Sequence, residues 1–408
     1  AARLRPLLGC ADAQDLADSA WSLARAGVRD LPMLEAIARE AAQRPAEFTP
    51  VNLSKLIWSF AALGMRDPEL LRAFAAEAVA RRSELQVQSL ANFAWAYAKL
   101  GVLDAGLMRA IAEEAVAKSY QFKTQELANL VWAFATLNVN DAGMLQTLAT
   151  VAKQRIKYFK PQELSNFAWA FSTLGIDDPE LFQAIVEQAI RKVRQLKPME
   201  SSGLAWALAN QGQRCGAELV RLLAREARRR LGDYEPQQLS NLLWSCAKLR
   251  VDDAAAVKAI MKDATLKLEH CLPQHLSSFA FASGKLQGLG ALPFLRAVAA
   301  EADRRRGELT PEHLCNLLGA FAELRAGEDP AFRAVAEEAN VRLAEFSPRC
   351  LASFAWAFAS CSAGGTYVIQ SLGREAVAKS QDLSAQSTAT LLWAFAKLRL
   401  QDLGLVRE

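Results

Sequence analysis

The sequence has few of the residues, and none of the short motifs, on which most enzyme sites are built. Its 408 residues include only three histidines, and neither a P-loop nor a GxGxxG motif occurs. His275 and His313 stand at equivalent places in two similar segments, with no acid or thiol constellation around them. The sequence therefore predicts a protein that is not an enzyme, holds no metal and uses no cofactor.

Long apolar runs and paired cysteines are also missing. No run of about 18 or more apolar residues occurs, which argues against a membrane span. The seven cysteines include no CxxC pair, so neither a zinc site nor a disulfide framework is indicated, and a reducing compartment fits best. The net charge of +4 is too small to identify a nucleic-acid binder by itself. Because the chain starts at Ala1 without Met and ends in mid-pattern, we interpret it as a fragment or a processed form.

What the sequence does contain is an internal repeat marked by tryptophan. Successive copies are 37 or 38 residues apart, and Phe281 and Gly319 stand at the two places where Trp is replaced. The eleven register positions, each called position zero of its copy, are Trp21, Trp58, Trp95, Trp132, Trp169, Trp206, Trp244, Phe281, Gly319, Trp356 and Trp393. No Gly/Ser linker interrupts the copies. The sequence predicts one repeat array over residues 1–408, in which residues 1–12 are a remnant of a preceding copy or a cap and residues 13–408 form the eleven repeats.

Each copy carries the signals of two helices. Leu recurs at position −5, Leu or Phe at −2 and Ala or Ser at +1, and these spacings are typical of a helix, here called helix A. Proline at −8 suits its first turn, and Gly at +6 suits its end. Asp at +9, which includes Asp402 in the last copy, is placed to cap a second helix. This helix B has apolar residues at +13, +16, +17 and +20, and we expect it to run to about +25.

A hairpin of two such helices cannot cover its own apolar face, so neighbouring copies must stack. The predicted fold is all-α, a right-handed α-solenoid superhelix of about eleven helix-hairpin repeats of 37–38 residues. We interpret the Trp as a core residue that fills the contact between neighbouring hairpins, because such stacks require large aromatic burial. A direct role in ligand binding is the alternative.

The repeated motif supports a family resemblance. It reads LANFAWAYAKLG at 90–101 and LSNFAWAFSTLG at 164–175. It resembles the octotricopeptide repeats of green-algal organelle proteins and the heptatricopeptide repeats of alveolate proteins related to RAP-domain and FAST-kinase-domain proteins. The resemblance covers essentially the whole chain and implies sequence-selective RNA binding in organelles. This sequence contains no copy-free C-terminal region that would correspond to a RAP domain, so the nuclease-like activity suspected for that module is not carried over.

Four positions of helix A, namely −7, −3, +1 and +4, fall within about 80° of one another at about 100° per residue. They predict a polar stripe that lines a groove, and a variable residue at −3 is what a one-base-per-repeat code needs. The candidate base readers are Asn92, Asn129, Asn166, Asn241, Asn316, Ser278, Ser353 and Thr390. The basic residues of the groove, at +4, are Arg25, Lys99, Lys248, Lys285 and Lys397. The alternative for the Asn row is a structural ladder that links one helix A to the next.

A second row, at position +23, is basic in all ten complete copies. It consists of Arg44, Arg81, Lys118, Arg155, Lys192, Arg229, Lys267, Arg304, Arg342 and Lys379. Such a row offers one phosphate contact per repeat. The alternative is that these cations only stabilise the end of helix B, where a positive charge suits the helix dipole.

The sequence favours a single-stranded RNA-binding protein that acts in organellar RNA metabolism: transcript stability, processing, translation or rRNA assembly. The alternative is a protein-binding scaffold or a structural subunit of a large assembly such as an organellar ribosome. We expect other ribonucleoprotein subunits as further partners, and neither a membrane nor a small-molecule substrate. The resemblance implies the mitochondrial matrix as the location, with the chloroplast stroma as the alternative.

Overall fold

The computed structural model describes residues 11–212, 214–288, 290–361 and 366–398, and every regular element in these ranges is helical. The predicted all-α fold is confirmed. The helices alternate along the chain, so that odd-numbered helices are helix A of a copy and even-numbered helices are helix B. In these ranges no helix is both long enough and apolar enough to cross a bilayer. Asp402 and most of the predicted remnant 1–12 lie outside the described residues.

The helices group into two compact units, residues 1–192 and 193–408. The first contains α1 (Ala13–Ala26), α2 (Leu31–Gln43), α3 (Pro50–Ala62), α4 (Pro68–Ala80), α5 (Val87–Leu100), α6 (Ala105–Ala117), α7 (Thr124–Thr136), α8 (Ala142–Arg155), α9 (Pro161–Thr173) and α10 (Pro179–Arg191). The second contains α11 (Pro198–Asn210), α12 (Ala217–Ala227), α13 (Pro236–Lys248), α14 (Ala254–Leu266), α15 (Pro273–Lys285), α16 (Ala291–Arg304), α17 (Pro311–Glu323), α18 (Pro330–Val341), α19 (Pro348–Ser360), α20 (Thr366–Ala378) and α21 (Ala385–Lys397). One uninterrupted, right-handed superhelical array stays a prediction.

The helix boundaries follow from the capping residues that the repeat supplies. Thr49 accepts a hydrogen bond from the Asn52 amide at the start of α3, and Pro50 occupies the first turn. Gly101 ends α5 in the left-handed conformation, with φ 63°. Asp67 then accepts a hydrogen bond from the amide of Leu70 and starts α4, a helix B. These predicted starts and stops are confirmed.

Helix B is shorter than expected. In the second copy it ends at Ala80, which is position +22, and residues 82–84 form a 3₁₀ turn that leads to the next helix A. An equivalent three-residue turn precedes each helix A from α3 to α21. The last residue of each turn lies three positions before the next helix A, so the turn connects one hairpin to the next.

Each unit is a stack of hairpins with an A layer and a B layer, which is the architecture of an α-solenoid. In the first unit, helices α1, α3, α5, α7 and α9 pack in sequence, and helices α2, α4, α6, α8 and α10 form the second layer. The second unit repeats this arrangement from α11 to α21. The core lies between the layers. It contains the residues at positions −5, −2 and +2 of helix A, such as Leu127, Leu130 and Phe134.

Candidate nucleic-acid interface

One face of helix A is left open, and the Trp lies on it. Trp58, Trp95, Trp132 and Trp169 are half-buried, and Trp21, at the start of the first unit, is 40% exposed. Positions −7, −3, 0 and +4 fall within about 60° of one another at about 100° per residue. We call these four positions the groove stripe. The interpretation of Trp as a fully buried core residue is wrong, although its ring does contact the neighbouring repeat.

Position +1 was predicted on this stripe and is instead buried. From the second copy onward it is Ala or Ser with at most 3% exposure, for example Ser59, Ala133 and Ala320. A small residue is needed there because neighbouring A helices approach each other most closely on this side. The Ser59 hydroxyl donates to the Lys55 carbonyl of its own helix, so it brings no unpaired polar group into the contact.

In each unit, one pair of rings at position zero in neighbouring copies is in contact. Trp58 and Trp95 stack with ring centroids 5.9 Å apart and planes 27° from parallel. In the second unit, Phe281 replaces Trp and lies 6.3 Å from Trp244, with an angle of 36° between the ring planes. In these two pairs each ring covers part of its neighbour, and all four rings stay half-buried.

All five basic residues at +4 are exposed. Arg25, Lys248 and Lys397 place their charge over the ring of their own copy, at 5.6, 5.8 and 4.9 Å from the centroid. Lys285 is different, because it forms an ion pair with Glu323 of the next copy at 2.5 Å. At three copies the stripe thus combines an aromatic surface with a positive charge.

The candidate readers at −3 also lie on the open face. Asn92, Asn129, Asn166 and Asn241 are half-buried, and within the described residues their side chains hydrogen-bond to no other residue. Asn316 is the exception, because its Nδ2 donates to Ser277 Oγ of the preceding copy at 2.8 Å. A side-chain hydrogen bond from one helix A to the preceding one is therefore present at this one position of the Asn row.

The remaining candidate readers carry hydroxyl groups that bond to their own helix. Ser278, Ser353 and Thr390 donate to the carbonyl four residues earlier, at 3.0, 3.0 and 2.8 Å. The lone pairs of each oxygen still face the stripe. At −3 of the first two copies, Lys55 pairs with Asp18, so these two charges neutralise each other.

The groove stripe surrounds a cavity of about 540 Å³ in the first unit. Its lining includes all four stripe positions: Gln88 and Gln125 at −7, Asn92 and Asn129 at −3, Trp58 at position zero. Arg25 at +4 completes the lining. The stripe therefore brings the predicted readers and a predicted groove cation together with the Trp, which the sequence argument had assigned to the core.

The row at +23 is engaged elsewhere. In eight copies its side chain donates to the backbone carbonyl at position −10, just before helix A of the same hairpin, and so joins the two ends of the hairpin. We call this contact the hairpin clasp. The eight pairs are Arg44–Ala11, Arg81–Phe48, Lys118–Leu85, Arg155–Phe122, Lys192–Phe159, Lys267–Tyr234, Arg342–Leu309 and Lys379–Phe346.

Six of the eight clasp cations also pair with an acidic residue, namely Arg44, Arg81, Lys118, Lys267, Arg342 and Lys379. Arg81 bonds to Glu84 at 2.7 Å and to Glu77 at 3.3 Å. The hydrogen bond to Glu84 is the main cause that raises the pKa of Arg81, and the same bond lowers the pKa of Glu84. Arg81, which is held by a carbonyl and two carboxylates, has little capacity left for a phosphate. The clasp gives these eight cations a structural role, and phosphate contact by this row stays a prediction.

The two remaining members, Arg229 and Arg304, belong to the copies that are 38 residues long. The next residue takes over the clasp in each case, because Arg230 bonds to the Leu196 carbonyl and Arg305 to the Cys271 carbonyl. The side chains of Arg229 and Arg304 are 65% and 72% exposed and bond to Glu226 and Glu301. In these two copies the clasp cation therefore keeps its sequence distance to position zero of the next copy, and the extra residue lies between the cation and position zero of its own copy.

The two histidines at −6 are capping residues. His275 accepts a hydrogen bond from the Leu272 amide at 3.1 Å, and His313 accepts one from the Thr310 amide at 3.2 Å. Gln238 does the same at this position in α13, with the Glu235 amide at 3.0 Å. Burial is the main cause that lowers the pKa of both histidines.

Comparison with known proteins places this interface in a family. No curated protein matches the chain. A solved structure described as a circular tandem repeat protein with novel repeat topology and enhanced subunit contact surfaces is 16% identical over 100% of this chain and 98% of that chain, with a TM-score of 0.21. The family model described as RNA-editing substrate-binding complex 6 protein matches residues 11–287 and 216–408. Together these two matches extend over the whole groove stripe, and the chain belongs to that family of helical-repeat proteins.

Proposed function

We propose that the chain binds single-stranded RNA along the groove stripe and acts as an RNA-binding subunit in organellar RNA metabolism. The observation that carries this proposal is the set of rings on the open face of helix A, three of which, Trp21, Trp244 and Trp393, have a cation 4.9 to 5.8 Å from the ring centroid. Proteins that bind single strands combine aromatic stacking platforms with positive charge along the backbone path. The stripe offers both on a rigid helical layer.

Base selectivity is assigned to position −3. The amides of Asn129 and Asn166 are held by the helix one turn from Trp132 and Trp169, and each has a donor and an acceptor that no described residue uses. A base that stacks on a Trp ring would present its edge to such an amide. Helical-repeat readers contact about one base per repeat, so the variation among Asn, Ser and Thr at −3 would give each copy its own preference.

Phosphate contacts are assigned to exposed cations outside the clasp. Lys123 and Lys160 precede the first turns of α7 and α9, next to the exposed Gln125 and Gln162 at −7, and Lys157 lies on the 3₁₀ turn before α9. These lysines are exposed and form no ion pair with another described residue. Together with Lys99 and the other cations at +4, they would fix the RNA backbone without selecting sequence.

The family name supports this proposal, because it describes a component of an RNA-editing substrate-binding complex. We extend this to the chain as a subunit that presents RNA to other subunits, in the mitochondrion or, as the alternative, in the chloroplast. The finer relationship to octotricopeptide or heptatricopeptide repeats is part of the same proposal. A fluorescent fusion of the full-length protein would identify the organelle.

The direct test is fluorescence anisotropy with a random single-stranded RNA pool. Trp132→Leu keeps an apolar side chain but removes the stacking surface, and we expect binding to weaken about tenfold, within the range for one base–aromatic stack. Tyr120→Leu is the matched control, because Tyr120 is 60% exposed but lies outside the stripe. Equal binding by the wild type and Trp132→Leu would contradict the proposal.

The protein-binding scaffold remains the second candidate. One observation favours it: the clasp removes eight cations from the set that was predicted to contact phosphates. If the wild type binds no RNA while Trp132→Leu loses its partner subunits during affinity purification, the groove stripe binds protein. Retention of the partners together with loss of RNA would favour the RNA-binding proposal.

A further inference from the structure

The row of rings has a gap in the second unit, at Gly319. Phe281 lies one copy before it and Trp356 one copy after it, and all three line a cavity of about 350 Å³. This volume falls at the lower end of the ~300–1,000 Å³ range of small-molecule sites. The gap is therefore a slot with one aromatic ring on either side.

Helix packing does not require glycine at this position. A Cβ built on Gly319 would meet nothing closer than the Trp356 ring at 4.0 Å, which is an ordinary contact. Gly284 is different, because a Cβ there would come within 2.9 Å of the Ala320 Cα. Gly319 also lies in the middle of α17 with an ordinary helical backbone, where glycine is the least favourable residue after proline. The missing side chain keeps the slot open at some cost to the helix.

The walls of the slot are suited to a nucleobase. Phe281 and Trp356 supply aromatic surface for stacking, and the exposed amide of Asn316 lies one turn before Gly319 on the same helix. Because one N–H of Asn316 is held by Ser277, the orientation of the amide is fixed. Lys285 and Glu323, which form an ion pair at 2.5 Å, also line the cavity and supply its charged groups.

We propose that the Gly319 slot receives one purine base of the bound RNA that is turned away from its neighbouring bases. This base stacks on the Trp356 ring and is read by Asn316. This inference rests on the proposed RNA-binding function and goes beyond it, because the slot would treat one nucleotide differently from the others. A purine is favoured because its larger ring system covers more of the aromatic wall. In the other copies a ring occupies position zero, so a base would lie against the exposed part of that ring and would not enter a slot.

The test is an abasic scan of an RNA selected by the full-length protein, in which one base is removed at a time. For the wild type we expect one purine position whose loss weakens binding at least tenfold, more than at any other position, within the range of one base stack. Gly319→Trp restores the ring and fills the slot. It should weaken binding to the intact RNA by a similar factor, and removal of that base should then have no further effect.

Gly143→Trp is the matched control, because it makes the same change at an exposed helix B position in the first unit. Circular dichroism checks folding, and Gly319→Leu, which adds less bulk, replaces the Trp variant if that variant does not fold.

Two results would overturn the slot while RNA binding stands. One is an equal loss of binding at every abasic position, and the other is a most sensitive position that stays the same in Gly319→Trp. Unchanged RNA binding with loss of a protein partner would assign the slot to a protein side chain. Failure of the wild type to bind any RNA would refute both proposals.

Discussion

Arg155 donates through Nη1 to the carbonyl oxygen of Phe122 at 2.7 Å and through Nη2 to that of Tyr120 at 2.6 Å. The arginine ends α8, and the carbonyls precede α7, so one side chain closes the hairpin at its open end. Without Arg155, these two carbonyl oxygens would lose the charged donor that they share.

The first prediction concerns this clasp. Arg155→Gln should lower the free energy of unfolding by about 1.5–3 kcal/mol, the range for hydrogen bonds to charged groups. Urea denaturation followed by circular dichroism measures the change. Arg191→Gln is the control, because the Arg191 side chain is exposed and makes no hydrogen bond or ion pair with another described residue. This control should change stability by less than about 0.5 kcal/mol.

The same variants test the original phosphate hypothesis. If Arg155 contacted RNA, its removal would reduce the slope of log K against log salt by about 0.7. We expect no change in that slope for Arg155→Gln under conditions in which the variant is folded. A reduced slope with unchanged stability would restore the phosphate interpretation.

The second prediction separates base reading from structure at position −3. Asn129→Ser should change the preferred base at one site position by about 1 kcal/mol, the scale of a neutral hydrogen bond, and leave stability unchanged. Asn316→Ser removes the bond to Ser277 at 2.8 Å and should also lower stability by about 1 kcal/mol. Selection from a random RNA pool and denaturant titration give the two readouts. Identical selected sequences for the wild type and Asn129→Ser would mean that the Asn row does not read bases.

The third prediction follows from the corrected position of the Trp. Leu130 is fully buried, so Leu130→Ala should cost about 2–5 kcal/mol. Trp132 is half-buried on the same helix, and Trp132→Ala should cost less than the about 3–5 kcal/mol of a fully buried ring, because the exposed part of the ring already lies in water. Denaturation of the two variants side by side measures both losses. A loss for Trp132→Ala at the top of that range would return the ring to the core.

The helices were predictable because their signals are local. Proline at −8, glycine at +6 and aspartate at +9 act on backbone groups within a few residues, and Pro50, Gly101 and Asp67 occupy the expected places. The assignment of Trp to the core failed because it used residue size alone. The better signal was the small residue at +1, such as Ala133, which marks the side where helices approach closely.

The clasp was not predictable from composition, because its acceptor is a backbone carbonyl that every residue has. Counting from position zero of the same copy also hid a one-residue shift in the two longer copies. Arg229 and Arg304 stand at +23 there, so the row looked unbroken, but Arg230 and Arg305 make the contact. Only the fold brings position −10 to the end of helix B.

The fourth prediction is a pH dependence. His275 and His313 accept capping hydrogen bonds in their neutral form, and burial lowers the pKa of each. A folded-state pKa below the unfolded value of about 6.5 means that the native state disfavours the proton. The contribution of these groups is therefore complete above that pH and is lost as the pH falls through the window between the unfolded and the lower folded pKa.

The measurement is the free energy of unfolding between pH 7 and pH 5. We expect the decrease to be smaller in His275→Gln/His313→Gln than in the wild type, because glutamine does not titrate. Gln238 shows that glutamine can make the same cap, with a distance of 3.0 Å to the Glu235 amide. Parallel curves for the two proteins would contradict the assignment.

The hairpin clasp also bears on how such a chain can evolve. Each clasp ties a copy to itself, because its cation and its acceptor carbonyl belong to the same hairpin, so the hairpin from position −10 to the clasp cation can be inherited as one module. A duplication or deletion with this boundary adds or removes a segment that already satisfies its own backbone carbonyls. Recombination can therefore lengthen or shorten the protein by whole copies, and the number of RNA contacts would change in single steps without redesign of the remaining copies.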